Sequence, residues 1–163
     1  MENNGLIKYQ GDLIKHVGNA ISVTNKLISL DLRILKIMHL DDHKIFLDGI
    51  LNCISKRFPN SVIELFQNSK KALDYVSNCL ENNEKLDLII TGINLRQPEL
   101  DGIDFTKAVR KKELEYDRKI PILGLDLYDD EIFIQKFLNA GIDRYLTSDT
   151  SCEEINYTIN TML

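Results

Sequence analysis

Between Leu32 and Leu163, short apolar runs alternate with amphipathic stretches five times, and no other feature of the chain narrows its fold as far. The runs Leu32–Leu40, Ser61–Phe66, Leu86–Thr91, Ile120–Leu125 and Ile142–Leu146 have strand length and are rich in Ile and Leu. The stretches His43–Arg57, Ser69–Asn82, Gly102–Tyr116, Asp129–Ala140 and Ser151–Met162 repeat apolar residues at helical spacing. That spacing turns Ile45, Phe46, Ile50, Leu51 and Ile54 inward on the first helix. It does the same for Ala72, Leu73, Val76 and Leu80 on the second, and for Ile132, Ile134, Phe137 and Leu138 on the fourth. Pro59-Asn60 and Gly141 supply the breaks. Strict alternation specifies a parallel sheet with helices on both faces, because the crossovers are right-handed. The expected fold is α/β, a flavodoxin-like (βα)5 doubly wound sheet of order 2-1-3-4-5. Its ligand crevice lies beyond the C-terminal ends of strands one and three.

Residues 1–31 precede this pattern and form an N-terminal extension to the 32–163 domain. The first eleven are polar, and Asp12 to Ser29 then reads as an extra amphipathic helix. Leu13, Val17, Ala20, Ile21, Leu27 and Ile28 share one side, and Asp12 is placed to cap it. That apolar side needs a cover, supplied by its own domain or by a second protein surface.

The chain carries a net charge of −5, which argues against nucleic-acid partners and anionic membranes. No apolar run approaches the ~20 residues of a membrane span, and the N-terminus lacks the basic start of a secretion signal. The expected location is therefore cytoplasmic. Cys53, Cys79 and Cys152 show neither a CxxC nor a zinc spacing, so they are expected to be separate small hydrophobes on helices in a reducing compartment. Arg110-Lys111-Lys112 with Arg118 and Lys119 is interleaved with Glu113, Glu115 and Asp117, the pattern of a solvated face.

Candidate chemistry sits at the crevice. Asp41 and Asp42 close the first strand and Gly92 closes the third. Paired carboxylates raise each other's pKa unless a cation lies between them, and Mg²⁺ suits an all-oxygen site. The bland alternative is that the pair caps the helix that follows.

Longer stretches narrow the reading. Ile37-Met38-His39-Leu40-Asp41-Asp42-His43-Lys44-Ile45-Phe46-Leu47-Asp48-Gly49 resembles the opening of bacterial response-regulator receiver domains, in the variety that carries a helix-turn-helix output domain. Asp87-Leu88-Ile89-Ile90-Thr91 followed by Leu100-Asp101-Gly102-Ile103-Asp104-Phe105 is similar to the family's phosphorylation region. Ile120–Leu125 and Ala140–Thr147 are similar to its fourth strand and the approach to its fifth. The resemblance runs over about residues 34–163 in the right order.

It also exposes departures. The family's third strand ends in an aspartate that accepts a phosphoryl group from a histidine kinase; Gly92 stands there. Its fourth strand ends in a Ser or Thr that bonds the phosphoryl group; Asp126 stands there. A lysine, usually followed by proline, comes after its fifth strand; Ser148 and Asp149 stand there. The acidic pair Asp41 and Asp42 remains, with Asn94 at the position that lends a backbone carbonyl to the metal. Tyr145 holds the aromatic position that swings on activation.

Phosphoryl transfer needs an in-line nucleophile and cations to take the developing charge. Gly92 removes the first and Ser148 a fixed one of the second. The resemblance with these departures implies a non-enzymatic, atypical (pseudo-)receiver domain, not phosphorylated at the usual position. It would act through protein partners, a second copy of itself among them, on the face of helix four, strand five and helix five or through the N-terminal helix. No cofactor is expected beyond weakly held Mg²⁺ on Asp41, Asp42 and the Asn94 carbonyl. Two other readings stand beside it. One is the regulatory domain of a transcription factor whose DNA-binding domain would attach after Leu163. The other is a receiver phosphorylated at a substitute residue such as Thr91 or Asp101.

Overall fold

All five apolar runs become strands, and each pairs in parallel with its neighbours. The computed structural model describes residues 31–95, 100–127 and 130–163. In chain order the elements are β1 (Lys36–Leu40), α1 (Lys44–Arg57), β2 (Val62–Phe66), α2 (Ser69–Glu81), β3 (Leu88–Thr91), α3 (Gly102–Tyr116), β4 (Ile122–Asp126), α4 (Glu131–Ala140), β5 (Arg144–Thr147) and α5 (Cys152–Met162). The sheet order is β2-β1-β3-β4-β5, as the alternation requires. The expected helix over Asp12–Ser29 lies outside the described residues. Among those described, no helix is long and apolar enough to cross a membrane.

Side-chain alternation along the strands builds two cores. Met38, Leu40, Ile89 and Ile122 pack under α2, α3 and α4 against Val76, Leu80, Phe105, Val109 and Phe137. Ile37, Leu88, Ile90, Leu123 and Leu125 pack under α1 and α5 against Ile50, Ile54, Ile155 and Ile159. The central strand β3 is buried at every position, which explains its unbroken apolar run.

Short polar residues start the helices by accepting backbone N–H groups. Asn68 receives Lys71 N at 2.9 Å, Asp101 receives Asp104 N at 2.8 Å and Ser151 receives Glu154 N at 3.2 Å. Gly141 ends α4 in the left-handed region at φ +113°, where a side chain would be strained.

Three expectations need correction. The first strand begins at Lys36 rather than Leu32, because Leu32 and Ile34 lie exposed ahead of the sheet. Ile45 and Ile132, expected inward, are 78% and 66% exposed. The buried stripe of α1 runs through Leu47, Ile50, Cys53 and Ile54, and Ile45 lies two residues, more than half a turn, from it. On α4 Phe137 and Ala140 set the buried line, so Leu138 also stays partly exposed. The cysteines are not three separate hydrophobes. Cys53 on α1 and Cys152 on α5 form a disulfide with Cα atoms 5.5 Å apart, across a sequence separation of 99. Both helices lie on one face of the sheet, a proximity that no local spacing reveals. Cys79 alone is a free buried thiol.

At the N-terminal ends of β4 and β5, Arg110 of α3 ties several elements together. Its guanidinium donates to both Glu113 carboxylate oxygens, to Ile120 O, to Gly141 O and to Asp143 Oδ2. Glu113 in turn accepts Ile120 N at 2.6 Å, and Asp143 accepts Ile122 N and Lys119 Nζ. The basic residues read as a solvated face are therefore partly structural. Hydrogen bonds from Lys119 and Ile122 and the charge of Arg110 outweigh burial and hold the Asp143 carboxyl below its usual range.

Candidate functional site

Strand register brings the sequence-predicted residues together at the C-terminal edge of the sheet. Leu40 pairs with Thr91, and Gly92 N donates to Leu40 O at 3.1 Å, so Asp41 and Gly92 emerge side by side. Ser148 N donates to Asp126 O at 2.8 Å, which draws the end of β5 to the end of β4. Asp41, Asp42, Gly92, Asn94, Asp126 and Ser148 all line one cavity of about 210 Å³. His39, His43, Phe46, Leu95, Leu125 and Leu127 complete its wall. Tyr145 does not line it. It sits half-buried with its ring edge-on to Phe137, centroids 6.5 Å apart.

The acidic pair does not cap α1 directly: His43 is the N-cap residue and, among the described residues, no side chain caps the first turn. Asp41 Oδ1 accepts His43 N at 2.7 Å, which turns the chain into α1. His43 Nδ1 lies 2.8 Å from Asp42 Oδ1 and 3.3 Å from Asp41 Oδ1. Asp41 Oδ2 instead faces the space above Gly92. Burial pushes the Asp41 carboxyl up; the His43 amide works against it and the Asp42 charge adds to it. One ligand atom each from Asp41, Asp42 and His43 lies within 4.8 Å of the others, a spacing able to hold a cation. His43 was not among the expected site residues; its place directly after the pair was the available signal.

Asp126 has the most specific geometry. Its Oδ2 accepts Ile93 N at 2.6 Å and Asn94 N at 3.0 Å, and its Oδ1 accepts Leu127 N at 2.7 Å. Three backbone amides from the loops after β3 and β4 converge on one carboxylate, the arrangement of an anion-binding nest. A Cβ built on Gly92 would lie 3.5 Å from Asp126 Oδ2 and 3.5 Å from Asp41 Oδ2. Gly92 therefore faces a gap between two carboxylates. Gly102 abuts the same turn. It donates its N–H to Ile93 O at 2.9 Å, and a side chain there would overlap the Gly92 carbonyl oxygen.

Two further wall atoms stand out. His39 Nδ1 and Ser148 Oγ are buried without a hydrogen-bond partner among the described residues. Burial of His39 lowers its pKa to about 3, so the ring is neutral. Both substitute acceptors have other engagements. Thr91 is fully buried with its hydroxyl donating to Gly92 O, and Asp101 caps α3.

The response regulator receiver domain profile matches residues 37–160. The chain belongs to that family. It is 29% identical over 121 residues to the response regulator protein VraR of Staphylococcus saprophyticus, covering 74% of this chain and 53% of VraR. It is 24% identical over 108 residues to probable histidine kinase 2 of Oryza sativa, covering 60% of this chain and 10% of the kinase. The chain thus spans about half or less of these relatives. Among solved structures, the Mg²⁺ complex of the receiver domain of the Arabidopsis thaliana histidine kinase CKI1 superposes with a TM-score of 0.72 at 24% identity, covering 83% of this chain and 96% of that one. Vibrio cholerae chemotaxis protein CheY4 gives 0.65 at 21% identity, covering 80% and 100%. These two likenesses are of fold. As a receiver domain the chain is a module of two-component signalling, a class that is generally non-enzymatic.

Proposed function

We propose that this receiver domain signals without phosphorylation at Gly92 and acts through contacts with other proteins. The observation that carries the proposal is the Asp126 carboxylate seated on Ile93 N, Asn94 N and Leu127 N. The amides that could hold an incoming anion already hold one, fixed to the chain. Gly92 offers no nucleophile, and among the described residues no lysine or arginine lines the cavity to take a phosphoryl charge. The engagements of Thr91 and Asp101 argue against either as a replacement acceptor.

Mg²⁺ fits Asp41, Asp42 and the Asn94 carbonyl weakly. The buried Asp41 carboxylate invites a cation, while the His43 ring already bonds both acids and residue 92 supplies no oxygen ligand. Support for protein contacts comes from α4, where Ile132, Phe133 and Leu138 are 66%, 45% and 39% exposed.

The test is a ¹H–¹⁵N spectrum of the whole chain with Mg²⁺ alone and then with beryllofluoride, alongside intact mass after acetyl phosphate. The expected result is no added phosphate and no change on beryllofluoride addition. Saturable shifts of the Gly92, Ile93 and Asn94 amides on that second addition refute the proposal.

A further inference from the structure

A second site lies away from the carboxylates, where α1 and α5 meet. Cys53 Sγ is buried, 2% exposed, and bonded to Cys152. Cys152 is exposed and is the first residue of α5, just after the capping Ser151. Free amides at a helix start favour a thiolate there, and solvent reaches it. Glu153 and Glu154 in the same turn act against the thiolate.

A groove of about 470 Å³ opens beside the pair, walled by Lys56, Arg57, Glu153, Asn156, Tyr157 and Asn160. Lys56 and Arg57 set two positive charges against the one of Glu153. Arg57 Nη1 is buried with no hydrogen-bond partner among the described residues, and Asn156 Oδ1 likewise. Asn156 Nδ2 reaches Cys53 O at 3.4 Å and lies 3.9 Å from Cys53 Sγ. The groove is large enough for one tripeptide-sized ligand. An exposed thiol at a helix start, a buried partner in bonding contact and a net basic groove form an asymmetric redox pair.

We propose that Cys152 is a modification site for low-molecular-weight disulfides bearing carboxylates, of the glutathione class, and that Cys53 resolves the adduct. In the reduced protein the Cys152 thiolate attacks one sulfur of the disulfide. A Cys152–ligand bond forms, the ligand's S–S bond breaks, and one ligand thiolate leaves and takes up a proton. Cys53, giving its proton to solvent, then attacks the Cys152 sulfur and expels the second ligand thiolate. The protein dithiol loses two electrons and two protons, and the small disulfide becomes two thiols. Lys56 and Arg57 hold the ligand carboxylates during the first step.

The test uses the reduced full chain, oxidised glutathione as the probe, cystamine as its cationic counterpart, alkylation and peptide mass spectrometry. In the native sequence both Cys53 and Cys152 lose reactivity to alkylation, while Cys79 stays a free thiol and serves as internal control. Cys53→Ser accumulates one glutathione on Cys152. Cys152→Ser accumulates none on Cys53. Lys56→Glu with Arg57→Glu slows oxidised glutathione about tenfold and speeds cystamine. Transient glutathionylation of the native chain at short times gives the same answer without relying on a variant. Cys53 and Cys152 that both stay alkylatable overturn the proposal, as does first attack at Cys53. Equal rates for the two probes, unmoved by the charge reversal, overturn the role of the groove.

Discussion

Placing an aspartate at residue 92 should destabilise the protein. Gly92 is not among the residues with positive φ, and a Cβ there meets its neighbours at ordinary contact distance, so backbone and space admit the side chain. The obstacle is charge. The new carboxylate would stand between Asp41 Oδ2 and Asp126 Oδ2, each 3.5 Å from that Cβ. Two unit charges about 5 Å apart repel by roughly 3 kcal/mol at an effective dielectric near 20, and there are two such pairs. The cavity's opening to water and side-chain rotation reduce the sum. Gly92→Asp should therefore cost about 2–4 kcal/mol at pH 7 in metal-free buffer. Urea denaturation measures it. Protonation relieves repulsion, so the penalty should shrink at pH 4. In an Asp126→Thr background, which removes one of the two neighbours, Gly92→Asp should cost about half as much. A Gly92→Asp protein as stable as the parent at pH 7 without metal would refute the charge argument, as would an undiminished Gly92→Asp cost in the Asp126→Thr background.

Two other expectations test parts of the fold. His39 titrates near 6.5 when unfolded and is lowered to about 3 in the fold, so the unfolded chain binds the proton first as pH falls. Its contribution is intact above about pH 6.5 and is lost progressively toward pH 3; at pH 4.5 the loss is about 2–3 kcal/mol. Urea curves at pH 7 and 4.5 should show His39→Leu losing that much less than the parent; equal losses would place the acid sensitivity elsewhere. Glu113→Ala leaves the Arg110 guanidinium and Ile120 N without their carboxylate and should cost about 3–5 kcal/mol, read by the same denaturation. A change under about 1 kcal/mol would show that the remaining partners of Arg110, Ile120 O and Asp143 among them, compensate for the lost carboxylate.

The fold was legible because strand and helix periods differ, and their alternation admits few topologies. Asp41, Asp42 and Gly92 were legible because each falls at or just beyond a strand end, and parallel strands bring those ends together; Asn94, Asp126 and Ser148 were legible only through the resemblance to receiver domains. What escaped depends on direction or on distance along the chain. Asp126 reads as a negative charge in a sequence; only the folded loops show three amides meeting it. Ile45 and Ile132 fit an apolar pattern, yet the buried stripe of each helix is set by the sheet beneath. The Cys53–Cys152 pair required two helices from opposite ends of the domain to share a face, and spacing says nothing of that.

The Arg110, Glu113 and Asp143 cluster grips the strands at their beginnings, while the carboxylate cavity occupies their ends. The domain thus has an anchored pole and a free one. Residues at the free pole can be exchanged while the opposite pole keeps the sheet in register. Such a division of labour lets a signalling scaffold vary the residues at one end of its strands while the other end keeps the architecture.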